Sequence, residues 1–66
     1  MEYFDYESAA REAKLTDEQL RRLFEVVRRD YPDDAMLFEL HVLRACNAIR
    51  EGRTTFEQVV GETAET

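Results

Sequence analysis

The sequence predicts an all-α fold: a small bundle of three main helices (about 6–14, 17–30 and 34–51) plus a short C-terminal helix (about 55–60). Three observations predict it. The 2 glycines and 1 proline fall where helices would stop. Apolar residues between Leu20 and Tyr31 recur at helical spacing, and no useful length of chain alternates as a strand would. Two stretches, Thr16–Gln19 and Thr54–Glu57, carry the pattern of a helix N-terminal capping box.

The first helix follows Asp5, whose carboxylate can accept from an early backbone N–H. Ala9, Ala10 and Ala13 favour helix and allow a neighbour to approach closely. Tyr6, Ala10 and Ala13 share one side. Tyr3 and Phe4 precede the cap and are expected to fold back as an anchor.

In the second helix, Thr16 bonds forward and Gln19 reaches back, with Leu15 and Leu20 placed as a hydrophobic staple. Leu20, Leu23, Phe24, Val27 and Tyr31 then form one stripe. Asp17 and Glu18 stand at the positive end of the helix dipole, Arg28 and Arg29 at the negative end. Pro32 cannot continue the hydrogen-bond ladder and drives Tyr31 out of helical geometry.

The third helix starts at Asp33 or Asp34 and closes at Gly52, a residue suited to the left-handed position. At ~1.5 Å per residue it is roughly 27 Å long. Of its 16 residues from Met36 to Glu51, 10 are apolar. Phe38, Val42, Ala45, Cys46 and Ile49 make one face, and Met36, Leu40 and Leu43 make another. A helix apolar on two sides is covered on two sides, so this is the central element. The fourth helix takes its apolar side from Phe56, Val59 and Val60 and stops at Gly61. The expected core is Leu20, Leu23, Phe24, Val27, Phe38, Val42, Ala45, Ile49 and Phe56. Residues 1–61 read as a single helical domain, and 62–66, with nothing to bury, as a disordered tail.

Composition narrows the function. A 66-residue chain has roughly 3–5 kcal/mol to hold it together without outside help. Cys46 is the only cysteine and His41 the only histidine, so no intrachain disulfide or zinc site is expected. The start has neither the cationic residues nor the apolar stretch of a secretory leader, and no apolar run approaches bilayer length. One thiol suits a reducing compartment, so the expected localisation is cytoplasmic. The net charge is −6, yet all 9 basic residues lie between Arg11 and Arg53, together with 9 acids. The acidity belongs to the two ends, which argues for solubility and against a dedicated polyanion binder.

Catalytic chemistry lacks its parts. Cys46 and His41 are five apart on one helix, about 140° around the axis from each other. Cys46 reads as a small core residue, and His41 as a partly buried or surface one. Asp30-Tyr31-Pro32-Asp33-Asp34 gathers carboxylates, but without the turn glycine and closing glutamate of a calcium loop it reads as a helix end, a break and a cap. No cofactor or small-molecule site, and no membrane partner, is expected.

The order of helix, Tyr31-Pro32-Asp33, longer helix and short helix loosely resembles the three-helix ubiquitin-binding CUE module, which carries a hydrophobic-Phe-Pro turn and a later dileucine. Asp30-Tyr31-Pro32 departs from that turn and no Leu-Leu pair is present. The functional expectation therefore rests on the residues themselves.

That expectation is a small non-enzymatic protein-interaction or regulatory module that binds a protein partner or itself as a homodimer. The apolar surplus on the third helix motivates it. The expected contact residues are Tyr3, Phe4, Met36, Leu40 and Leu43, with Arg21 and Arg28 as a polar flank. The alternative is a nucleic-acid-associated regulator with a helix-turn-helix-like core. Its cationic strip would be Arg21, Arg22, Arg28 and Arg29, but the third helix is built as a core helix and offers only Arg44 and Arg50 as cations. The acid-first pairs Asp17–Arg21, Glu18–Arg22 and Glu25–Arg29 are expected to neutralise much of the strip.

Overall fold

The computed structural model describes residues 3–61. Four helices follow in order: α1 (Tyr6–Glu12), α2 (Asp17–Asp30), α3 (Ala35–Arg50) and α4 (Phe56–Val60). The all-α bundle expected from the sequence is the fold observed. The expected tail at 62–66 lies outside the described residues.

Local chemistry sets most boundaries. The Asp5 side chain accepts from Ser8 N–H at 3.2 Å and from Ser8 Oγ at 2.8 Å, which starts α1. The capping box of α2 is complete: Gln19 N–H donates to Thr16 Oγ1 at 3.0 Å, and Thr16 N–H to Gln19 Oε1 at 3.0 Å. Asp34 caps α3 through Leu37 N–H at 3.0 Å. At α4 the cap sits one residue later than the pattern suggests. Thr55, not Thr54, accepts from Gln58 N–H, while Thr54 Oγ1 donates to Gln58 Oε1.

Two helices end in the same way. After α3, Gly52 at φ 80° donates to Ile49 O and Arg53 N–H reaches back to Ala48 O. This double bond to the last turn satisfies carbonyls that the helix end would leave orphaned. After α1, Lys14 N–H donates to Arg11 O and Leu15 N–H to Ala10 O in the same arrangement. Here Lys14 takes the left-handed position at φ 62°. The first helix therefore ends at Glu12, short of the expected Lys14, because a turn that glycine usually makes is made by lysine.

The core is a cluster of Ala9, Ala10, Leu23, Val27, Phe38, Val42 and Cys46, with Leu23, Val42 and Cys46 wholly buried. Val60 of α4 is buried as well. Of the expected core, Leu20, Phe24 and Ala45 are half-buried against this cluster, while Ile49 and Phe56 are half-buried outside it. The core has moved toward α1. Small Ala9 and Ala10 let that helix lie close on α3, and it packs on α3 more extensively than α2 does. An ion pair between Arg50 of α3 and Glu12 of α1 joins the two at the surface.

The central position of α3 is confirmed, but its second apolar side is not left open. Along the helix only Ala35, Met36, Arg44 and Arg50 are exposed. Leu40 and Leu43 are half-buried, Leu43 against the core. The exposure expected for Met36, Leu40 and Leu43 is thus confined to Met36, at 48%. Much of the apolar surplus of α3 is thus met within the chain.

Candidate interaction groove

The face where α1, α2 and α3 meet builds the groove with the richest chemistry. On α2, Arg21, Phe24, Glu25 and Arg28 stand at i, i+3, i+4 and i+7 and so share one side. Tyr6 of α1 and Phe38 of α3 close the two walls. Together these six residues line a shallow hollow of about 370 Å³. Its floor is aromatic. The Tyr6 and Phe24 rings meet edge to face, with centroids 5.5 Å apart and planes at 85°. Phe24 and Phe38 lie 5.6 Å apart at 56°.

Charge rims that floor. The Arg28 guanidinium carbon lies 3.8 Å from the centroid of the Phe38 ring, a cation–π contact that holds the guanidinium in place. Among the described residues neither Arg21 nor Arg28 forms an ion pair. The expected Asp17–Arg21 and Glu25–Arg29 pairs do not form, and Glu25 turns to Arg22 at 3.1 Å. Glu25, the one acid lining the groove, therefore already has a cation beside it. Burial raises the Tyr6 phenol pKa above its ordinary value, with the Glu39 and Glu7 charges adding to the rise and Arg28 opposing it. Tyr6 thus presents a neutral hydroxyl.

A second hollow, of about 450 Å³, lies between the start of α2 and α4, lined by Thr16, Glu18, Gln19, Arg22 and Phe56. It is larger, but Thr16 and Gln19 are committed to capping α2 and Arg22 to Glu25. The groove at Arg21 and Arg28 has two cations without carboxylate partners.

The other expected contact residues stand elsewhere. Tyr3, 52% exposed, and half-buried Phe4 are held by their backbones: both N–H groups donate to Glu39 Oε1, at 2.8 and 3.1 Å. Glu39, only 7% exposed, is the buried charged residue of α3. The expected fold-back of the N-terminal segment is real, and its anchor is this carboxylate. Tyr3, Phe4, Met36, Leu40 and Leu43 do not line the groove with Arg21 and Arg28. Sequence reading placed the arginines but missed the aromatic floor. The spacing of Arg21, Phe24 and Arg28 held the signal; the contributions of Tyr6 and Phe38 depend on how the helices pack.

The remaining reactive side chains are absorbed by the fold. Burial pushes the Cys46 thiol up to about 11, which leaves little thiolate at neutral pH. His41 stacks on Tyr31, with centroids 4.4 Å apart. Its Nδ1–H donates to Leu37 O at 2.9 Å, and Nε2 accepts from the Tyr31 hydroxyl at 3.1 Å, a tautomer assigned from these partners. Among the described residues no three His, Cys, Asp or Glu side chains gather as a metal site would need, and no helix is long and apolar enough to cross a membrane. Comparison of the chain with protein-family models, curated proteins and solved structures gives no match.

Proposed function

We propose that this protein is a small non-enzymatic protein-interaction module, and that the groove of Tyr6, Phe24, Phe38, Arg21 and Arg28 is its contact surface. One observation carries the reading. Two guanidiniums without carboxylate partners flank the half-buried Tyr6 and Phe24 rings. Aromatic and arginine side chains are the residue types that anchor protein interfaces, because they bring large contact area and directed hydrogen bonds together. The single buried thiol suits work in a reducing compartment, and we assign the cytoplasm on that ground.

Site-specific photo-crosslinking in living cells tests this. A crosslinking residue replaces Arg21, and in separate variants Met36 or Arg53. A discrete protein adduct from position 21, weaker or missing at position 53, is the expected result. An adduct at twice the chain's mass assigns the surface to a second copy. Absence of protein adducts at all three positions in cells expressing the full chain at native level refutes the reading.

A further inference from the structure

We propose that the groove takes an acidic amphipathic helix of a partner protein, with carboxylates two turns apart and a large apolar side chain between them. This inference rests on the reading that the groove is a contact surface, and it specifies the partner's chemistry.

The spacing of the arginines carries the argument. Arg21 and Arg28 are seven residues apart on α2, which places their Cα atoms about 10.5 Å apart along one side of the helix. Phe24 lies between them. A partner helix running alongside presents i and i+7 side chains at the same pitch and on the same side. Its i+3 or i+4 residue then falls on the half-buried Phe24 and Tyr6 rings, beside Phe38, which Arg28 covers. An extended segment does not fit this spacing. At ~3.4 Å per residue it spans the distance in three residues, an odd number, which turns the two side chains to opposite faces.

Charge complementarity sets the sign. Arg21 and Arg28 lack carboxylates, while Glu25 between them is already served by Arg22. An incoming carboxylate at each arginine therefore makes a new charge-assisted bond, and guanidinium can make it bidentate. The cation–π contact with Phe38 holds the Arg28 guanidinium before binding, so less side-chain freedom is lost on docking. A nucleic acid would gain only two cations here, with no further basic side chain lining the groove. Two phosphate contacts alone make weak binding that salt readily abolishes.

The test titrates the full 15N-labelled chain with a synthetic helical peptide bearing glutamates at i and i+7 and leucine at i+3. Controls are the same peptide with glutamine for glutamate and a short DNA duplex. Backbone and arginine Nε resonances report the site, and sedimentation reports self-association. We expect shifts centred on Arg21, Phe24 and Arg28. Affinity falls by about tenfold or more for the glutamine peptide, and equally for Arg21→Glu or Arg28→Glu. A peptide with lysine in place of the one glutamate that meets the reversed position restores binding to that variant. Arg28→Lys keeps the charge but loses the bidentate guanidinium, and weakens binding less. Both arginines are exposed, so parent-like melting shows these variants to be folded.

Equal affinity for the two peptides, shifts centred elsewhere, tighter binding of DNA, or a groove filled by a second copy each overturns the proposal. An adduct from position 21 in cells, with no binding of acidic peptide, overturns the partner chemistry and leaves the interaction reading standing. Failure of both removes the groove as a contact surface.

Discussion

Replacing Glu39 with alanine tests how much of this small fold hangs on one buried carboxylate. Glu39 Oε1 accepts from two backbone N–H groups, at 2.8 Å from Tyr3 and 3.1 Å from Phe4. Hydrogen bonds to charged groups contribute about 1.5–3 kcal/mol each. Tyr3 is half exposed, so its N–H finds water when the carboxylate is gone, and the pair together is worth nearer about 2 kcal/mol. Loss of a buried methylene adds about 0.8 kcal/mol. The expected destabilisation is therefore about 2–3 kcal/mol, against a total of roughly 3–5 kcal/mol for a chain of this size. For a domain this small, that lowers Tm by about 10–20 °C. Glu39→Gln keeps an oxygen where Oε1 stands and loses the charge, so its Tm falls between the two. The assay is thermal unfolding by circular dichroism, with hydrogen exchange at the Tyr3 and Phe4 amides. Those amides are protected in the parent and exchange at the free rate in Glu39→Ala. If Glu39→Ala melts with the parent and leaves both amides protected, the carboxylate does not hold the N-terminal segment.

Four further outcomes are expected. Leu23→Ala empties a wholly buried site and costs about 2–5 kcal/mol, so the variant melts at least about 10 °C below the parent by far-UV dichroism. Thr16→Ala removes one arm of the capping box and costs about 1 kcal/mol, seen as a lower urea midpoint at unchanged slope. Burial raises the Cys46 thiol from an ordinary value of 9.0 to about 11. The folded chain therefore keeps a proton that the unfolded chain releases, and stability is present below about pH 9 and declines as the pH climbs toward 11. Cys46→Ala flattens that decline, and an unchanged slope in Tm against pH contradicts it. Hydrogen bonds from Ser8, with Arg11 nearby, hold the Asp5 carboxyl below its ordinary value. Its capping contribution is thus present above the ordinary carboxylate range and is lost on acidification, so the Ser8 amide should lose protection in acid before the α2 amides do.

What the sequence disclosed is what short-range chemistry decides. Thr16 and Gln19 lie three residues apart, and their reciprocal bonds need nothing beyond one turn of helix. Asp5, Pro32, Gly52 and Gly61 mark ends for equally local reasons. The stripe on α2 gives the direction each side chain points, and Leu23 and Val27 are buried as it implies. Depth is another matter. Ile49 shares the Phe38–Val42 face but stays half-buried, whereas Ala9 and Ala10 are covered, because depth follows from which helix lies against which. Glu39 illustrates the same limit. A glutamate on an apolar helix reads as a surface residue until a distant segment brings N–H groups to it. In the groove, the two arginines were legible from spacing, while the aromatic floor drew one ring from each of three helices.

The preference of α1 for α3 bears on how the chain is made. A ribosome releases Tyr3, Phe4 and α1 first, yet their partners, Glu39 and the body of α3, come more than thirty positions later. The opening helix has only seven residues, too few to persist alone in water. The segment from Tyr3 to Glu12 therefore gains its structure only when α3 is present for it to pack against.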